Sequence, residues 1–439
     1  MTNAEDPSKV RKKLTKKQVK VLYICPFAHY SGHPPAAAIN EPEALRQAGA
    51  EVKLVTFCGI IDDTKARVPE VTIVPRRFKK VHRVFRVIRK WTLSRWVLMF
   101  SETISTLIKA LAIKRREGYD VIYLRDGEPF LFMSHIVSLP FRGVNWIVSL
   151  TAANIYMPKP PPIEFRNLPL LVYSVVMNFV INNRLWRPLY RLSLKRNNFR
   201  FVTQNELAKE DYSNYLGGIF GDRVQCLPIG VASMNRNILT SKEEARRILG
   251  LPQHKPLFLS FGAPHSGKDL DVIYRVFHGM RDVHLVQAGK QAFSLGVSPA
   301  LLLARYNMEG RVIVKDYYIT EEDKPYYFAA ADAVIISYTK QFLSTASLLW
   351  EACRFGTPAI ASDNGQQKEL MEAFQPGLLF TAQDADSLRE TIQRFLSLKP
   401  EEIQVFKDNC RRFANEFSLE RWAQRCLEIY DKMMVVSAL

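Results

Sequence analysis

The sequence predicts an α/β protein of two doubly wound domains, and three observations predict it. Both halves alternate short β-rich runs with helical segments, the pattern of a parallel sheet covered by helices. The first half opens with a strand–loop–helix–strand unit between Val19 and Phe57, the start of a doubly wound fold. The chain has 439 residues, and at roughly 100–200 residues per domain two domains is the natural division.

In the first half, Val19–Ile24 is a compact, mostly apolar strand. Pro26 to Pro35 reads as a Gly/Pro loop, and a helix from Ile39 to Ala48 stops near Gly49. Glu51–Phe57 is the next strand, with further strands at Val121–Tyr123, Trp146–Leu150 and Phe199–Val202. Pro158-Lys159-Pro160-Pro161-Pro162 fits neither a helix nor a central strand, because proline fixes φ and removes a donor. It reads as a rigid loop or the start of an inserted lobe, with helices over Leu168 to Arg196.

The second half is nearly unbroken βα. Strands are expected at Leu257–Phe261, His284–Ala288, Arg311–Val314, Ala333–Ile336, Pro358–Ala361 and Leu378–Phe380. Helices fit between them at Asp269–Met280, Glu321–Ala331, Ser347–Arg354, Gln366–Ala373 and Ala385–Leu398. The domain boundary is expected near Asn205–Ile229, which divides the chain into a basic tail (1–18) and domains over 19–205 and 206–415. A last helix from Leu419 to Met433 carries Trp422 and Tyr430 and is a candidate for crossing back to the first domain.

Composition narrows the class. The hydrophobic fraction of 47% lets both domains build a core. Cys25, Cys58, Cys226, Cys353, Cys410 and Cys426 are scattered, with no CxxC and no zinc spacing, so buried free thiols in a reducing compartment are expected. The basic stretch up to Lys20 is followed by no apolar h-region, which argues against a secretory signal. The longest apolar run, Leu168–Ile181, holds Pro169 and Asn178 and is too short to span a bilayer. A cytoplasmic protein, soluble or peripheral on the inner face of the membrane, is the expectation.

The formal net charge of +18 implies anionic partners. From Arg76 to Arg116 the only acidic residue is Glu102. There Val81, Val84, Phe85, Ile88 and Trp91 repeat at helical spacing, with Arg83, Arg86, Arg89 and Lys90 between them. This basic amphipathic pattern suits either an acidic membrane surface or a core-facing helix with a solvated basic face. No nucleic-acid module accompanies the charge, so nucleic acid is not expected as a partner.

The motifs of the second half resemble the nucleotide-binding domain of family 4 glycosyltransferases. Leu227-Pro228-Ile229-Gly230-Val231 is similar to that family's junction segment, and Leu249-Gly250-Leu251 to its Leu-Gly-Leu. Gly262-Ala263-Pro264-His265-Ser266-Gly267-Lys268 stands where the family has Gly-Arg and then Lys-Gly. Tyr327 to Asp332 resembles its Tyr-x-x-Ala-Asp. Leu349-Trp350-Glu351-Ala352 through Gly356-Thr357-Pro358 to Ser362 resembles its Leu-Glu-Ala-x-x-x-Gly-x-Pro signature. The sequence departs from the family at two places. Leu343 stands where the first glutamate of the usual pair falls, and Ala263 stands at the arginine. Ser344-Thr345-Ala346-Ser347 is similar to a Ser-rich variant of this region.

The resemblance implies a GT-B fold: two Rossmann-like domains facing a central cleft, an acceptor domain first and a nucleotide-sugar-binding domain second. It implies transfer of a sugar, with retention and without metal, from a nucleotide diphosphate donor. No cofactor beyond that donor is expected. The basic surface suits a lipid-linked or polysaccharide acceptor. The leaving diphosphate gains negative charge as the glycosidic bond breaks, so preorganised cations and helix N-termini lower the barrier. Lys268, in a Gly/Pro loop after a strand, is the first candidate for that charge, with Gly262 and His265 beside it. Ser344, Thr345 and Ser347 precede or open a helix and are candidates both for capping it and for cradling phosphate. Glu351, on the same face as Ser347, is the candidate for both ribose hydroxyls. Gly32 and His33, after the first strand, are candidates for close approach to the donor. Arg125 and Asp126 are candidates for the acceptor side, Asp126 as a base; a structural pair in a turn is the alternative. Asp269/Asp271 and Asp384/Asp386 each open a helix, where aspartate complements the dipole, and no metal is expected there. A catalytically silent sugar-nucleotide-binding or scaffold protein is the competing reading.

Overall fold

The computed structural model describes residues 18–28, 33–57, 71–75, 92–125, 138–139, 142–150, 192, 195–216, 223–232, 240–265, 267–290, 298–308, 310–342 and 345–438. Two compact units share them. The described residues before Leu150, those from 192 to Arg200 and those after Trp422 form the first. Leu150 and the described residues of Phe201–Trp422 form the second.

The strands are β1 (Lys20–Cys25), β2 (Glu51–Phe57), β3 (Val71–Val74), β4 (Val121–Leu124), β5 (Asn145–Leu150), β6 (Asn198–Thr203) and β7 (Val224–Cys226). They form a sheet in the order β3-β2-β1-β4-β5-β6-β7. Among the described residues, helices α1 (His33–Gln47), α2 (Thr92–Glu117) and α3 (Glu206–Leu216) belong to this half of the chain. Tyr23 and Tyr123 stack across the β1–β4 pair at 5.0 Å, and Trp146 stacks on Phe199 at 5.6 Å. Two of these differ from expectation. Helix α1 begins at His33, because Pro34 and Pro35 suit a first turn whose N–H groups need no intrahelical partner. His33 therefore opens a helix instead of sitting in the loop. Strand β3, unexpected from sequence, is four residues long and mostly half-exposed, with little apolar pattern to announce it.

The second sheet contains β8 (Leu257–Phe261), β9 (His284–Ala288), β10 (Val312–Lys315), β11 (Ala333–Ile336), β12 (Ala359–Ser362) and β13 (Gly377–Phe380). Their order is β10-β9-β8-β11-β12-β13, with parallel pairing throughout. Around it lie α4 (Lys242–Leu249), α5 (Leu270–Gly279), α6 (Pro299–Tyr306), α7 (Lys324–Ala330), α8 (Ser347–Arg354), α9 (Gly365–Phe374), α10 (Ala385–Leu396) and α11 (Pro400–Glu416). Alternation assigns side chains to the two faces. Leu257, Leu259, Val334 and Ile336 pack into one core, with Trp350 and Phe413. Phe258, Leu285, Ile335 and Ile360 pack into the other, with Phe277 and Phe395. Burial on both faces is what a parallel sheet requires. The last helix, α12, runs from Leu419 to Ala438.

In both sheets the first strand of its set has its second strand on one side and its fourth on the other along the sheet. The connections therefore diverge between β1 and β4, and between β8 and β11. Open α/β sheets bind ligands beyond the carboxyl ends of the strands at such a switch point. No described helix is long and apolar enough to cross a membrane.

Candidate functional site

At the second switch point two loops leave adjacent strands and are tied together through their backbones. The loop after β8 pairs with the segment after β11 through an isolated antiparallel bridge between Lys268 and Tyr338. Thr339 N–H donates to Gly267 O at 2.9 Å, and Asp269 N–H to Ser337 O at 3.0 Å. Lys268 and Leu348, in the first turn of α8, border a closed gap too small to hold a water molecule, together with Ser260, Ser337 and Tyr338. The lysine-bearing turn and the first turn of α8 thus both border this gap.

The turn has a strict geometric need. Gly262 has φ +89, a left-handed conformation that side chains disfavour, and a Cβ there would stand 3.0 Å from the Lys268 ammonium. Gly262 N–H donates to Ala288 O at 2.8 Å, which ties the turn to the end of β9. Lys268 Nζ folds back over the glycine and donates to Phe261 O at 2.5 Å. Among the described residues no carboxylate pairs with it. Burial without a counter-charge lowers its pKa from the usual 10.5 to about 8. An anion placed beside it would restore the charged form.

His265 sits in the same turn. Its Nδ1 accepts from Gly267 N–H at 3.1 Å, and its ring leans on Tyr338 and Phe342 at 5.9 and 5.8 Å. Tyr338 and Phe342 themselves stack at 4.1 Å. Burial, and then the Lys268 charge, pull the imidazole down to about 4. It is neutral at pH 7. With Nδ1 accepting, its proton lies on Nε2, which leaves a neutral N–H donor.

Across the switch point, the residue at the N-cap of α8 is Ala346, whose side chain makes no cap. This corrects the expectation of a Ser/Thr cap. Ser347 is the first helical residue, and its N–H donates to Thr345 O at 3.2 Å. The Thr345 hydroxyl is committed elsewhere: it accepts from Asn205 Nδ2 at 3.0 Å and donates to Gln366 Oε1 at 2.8 Å. Thr345 holds the loop in place, so its hydroxyl is not a free phosphate ligand. Gln366 in turn donates to Gln204 O at 3.1 Å. Ser344 lies outside the described residues.

Glu351, one turn into α8, lies in a ring of charges. Its Oε1 receives Lys324 Nζ at 2.8 Å and its Oε2 receives Arg354 Nη1 at 3.4 Å. Glu321 pairs with Lys324 and with the same Arg354 nitrogen, the latter at 3.0 Å. Lys324 and Arg354, which the sequence reading did not single out, complete this ring. The i,i+3 spacings Glu321–Lys324 and Glu351–Arg354 were readable as local pairs, but their joining across two helices was not.

In the first unit, Arg125 corrects another expectation. It is 5% exposed, with Nη1 3.1 Å from Glu41 Oε1 and 3.4 Å from Ser149 Oγ. Tyr23 OH donates to the other Glu41 oxygen at 2.5 Å. The end of β4 faces α1, and a charge at that position needs a buried partner, so Arg125 is a structural ion and not an exposed acceptor contact. Gly32, Asp126, Arg83, Arg86, Arg89 and Trp91 lie outside the described residues. The two Asp-x-Asp pairs are helix starts: Asp269 accepts from Val272 N–H and Asp384 from Asp386 and Ser387 N–H.

Residues 241–413, which carry Lys268 and Glu351, match the family model described as Glycosyl transferases group 1. The match lies within the second unit and covers less than half of the chain. A probable sucrose-phosphate synthase 2 from Oryza sativa subsp. japonica is 23% identical over 200 residues, 42% of this chain. The match spans only 20% of that protein's length. Among solved structures, a sucrose-phosphate synthase from Thermosynechococcus elongatus superposes with TM-score 0.64 at 17% identity, over 95% of this chain and 100% of that one. HepE from Anabaena, in complex with UDP and glucose, gives TM-score 0.63 at 14% identity, over 96% and 100%. These likenesses show the fold alone, two Rossmann-like domains of the GT-B type.

Proposed function

We propose that this chain is a glycosyltransferase that moves a sugar from a nucleotide diphosphate donor, as a family 4 variant with Leu343 at the first glutamate position. The observation that carries the reading is the backbone-linked pair of loops at the β8–β11 switch point, which sets the carboxylate-free Lys268 beside the uncapped start of α8. An ammonium without a counter-ion and a helix start without a side-chain cap are complementary to a diphosphate. Lys268 would neutralise charge on the leaving group, and the dipole at the start of α8 would favour phosphate oxygens there. His265 would donate through Nε2–H, and Glu351 would accept the ribose hydroxyls.

In this reading no metal or further cofactor is needed, since the cation and the amides supply the charge stabilisation. The donor phosphate receives the acceptor proton, and configuration is retained. The strongly basic segment from Arg76 to Arg116 suits an acidic membrane surface and a lipid-linked or polysaccharide acceptor.

Thermal melting with a panel of UDP-, GDP- and ADP-sugars tests the reading, because a ligand that prefers the native state raises its stability. One nucleotide sugar is expected to raise the melting temperature and to be turned over, and Lys268→Met is expected to shrink the shift and abolish turnover. No shift with any nucleotide, or a shift that Lys268→Met leaves intact, refutes the donor site. Ala263 and Leu343, where the family has charged residues, favour the silent nucleotide-sugar-binding alternative. Binding without hydrolysis or transfer would select it.

A further inference from the structure

We propose that Lys324 is a positioning residue that sets the Glu351 carboxylate for a ribose diol, an inference that rests on the donor-site reading above. A carboxylate can receive two vicinal hydroxyls only if it is ionised, held in one rotamer and left with an open acceptor position on each oxygen. The ring around Glu351 meets all three conditions. Lys324 takes one position on Oε1 at 2.8 Å and Arg354 one on Oε2 at 3.4 Å, and among the described residues no other donor takes the second position of either oxygen. The Lys324 side chain is 12% exposed and that of Glu351 18%, so the pair is shielded from water and its geometry is firm. Glu321 closes the ring by pairing with both cations.

The ring is also anchored to the loop that carries Lys268. The Arg354 guanidinium lies over the Phe355 ring at 4.9 Å, and Phe355 stacks on Phe328 at 4.8 Å. Phe328 in turn meets Phe261, the last residue of β8, at 5.1 Å. Without Lys324, Glu351 and Glu321 would share Arg354 alone, and the Oε1 side of Glu351 would lose its one cation among the described residues. The carboxylate would then turn toward Arg354 and away from the diol. The hexose end of the donor has no part in this, so the effect should follow the ribose.

The test measures affinities of wild type, Lys324→Met, Lys324→Arg and the charge-balanced Glu321→Gln/Lys324→Met chain by calorimetry. The probes are UDP, GDP and ADP, each beside its 2′-deoxy form. Wild type is expected to favour the ribonucleotide of its preferred base about tenfold. Lys324→Met should lose most of that ratio, mainly through weaker ribonucleotide binding, and Lys324→Arg should restore it. The double variant carries the test if Lys324→Met fails to fold. A ratio that survives in a folded chain lacking Lys324, or equal weakening toward both forms of the nucleotide, overturns the positioning role alone. Equal binding of ribo and deoxyribo forms by wild type removes the ribose role of Glu351 and the inference with it. Absence of nucleotide binding by wild type refutes the donor site as a whole.

Discussion

Gly289 lies so close to Gly262 that a Cβ on Gly289 would stand 2.6 Å from the Gly262 carbonyl carbon. The end of β9 is thereby a wall against which the Lys268 turn is set. Its φ of +140 adds a conformational reason for glycine. Gly289→Ala must push the turn away. Overpacking of this kind costs about 1–3 kcal/mol, which urea unfolding will read. Affinity for nucleotide diphosphate should fall as well, because the displaced turn carries Lys268.

Lys268 is held at a cost to the fold. Its folded pKa of about 8 lies below the usual 10.5, so the unfolded chain binds more protons between those values. Stability should therefore rise with pH across that window, and Lys268→Met should lose the rise. At pH 7 the methionine chain is expected to be more stable, by on the order of 1–3 kcal/mol for a buried ammonium whose pKa burial lowers. Its nucleotide affinity should drop about tenfold to a hundredfold, the range for a charged hydrogen bond. In wild type, affinity should decline above about pH 8 as the free amine loses its proton. Melting curves and calorimetry at several pH values check each part.

His265 should be silent between pH 6 and 8. Its folded value of about 4 lies below 6.5, so the stability tied to the neutral ring is complete above 6.5 and is lost as pH falls toward 4. Nitrogen-15 NMR should report the Nε2–H tautomer, because Nδ1 accepts from Gly267. His265→Ala should weaken donor binding a few-fold, about 1 kcal/mol for one neutral hydrogen bond, with no change in the pH profile around 6.5.

Asp332 secures the far end of the same strands. Its Oδ2 accepts from Arg246 Nη2 at 3.0 Å and from Leu257 N–H at 2.7 Å, and Lys242 pairs with Oδ1. Arg246 is 2% exposed and also donates to the carbonyls of Ala330, Pro252, Gln253 and Lys255. Asp332→Ala leaves a buried guanidinium without its counter-charge, so a loss of about 3 kcal/mol is expected in denaturant unfolding. Donor affinity of the folded fraction should stay near wild type, since Asp332 is at the opposite end of β8 from Lys268.

These particulars explain what was readable beforehand. Strands β2, β8, β9 and β11 fall on the residues their apolar runs indicated, because burial on both faces leaves no ambiguity of pattern. Lys268 and the start of α8 both follow strands of one parallel sheet, which is why the sequence could group them as candidates. Helix α4 escaped notice: Lys242, Glu243, Glu244, Arg246 and Arg247 mask its apolar positions, although Ser241 caps it and Gly250 ends it. The burial of Arg125 and the ring around Glu351 were hidden for a different reason. Each depends on which charged side chains meet across elements far apart in the chain, and no local spacing encodes that.

A two-turn helix headed by Ala346 has no side-chain cap at its opening; Ser347 N–H donates to Thr345 O and Leu349 N–H to Ala346 O. Such a start frays readily, and backbone hydrogens there should exchange with deuterium far faster than those deeper in α8. A bound diphosphate would supply the cap that the chain withholds. Protection appearing at Ser347, Leu348 and Leu349 on addition of nucleotide, and not at the side-chain-capped start of α10, would make this helix a gauge of occupancy.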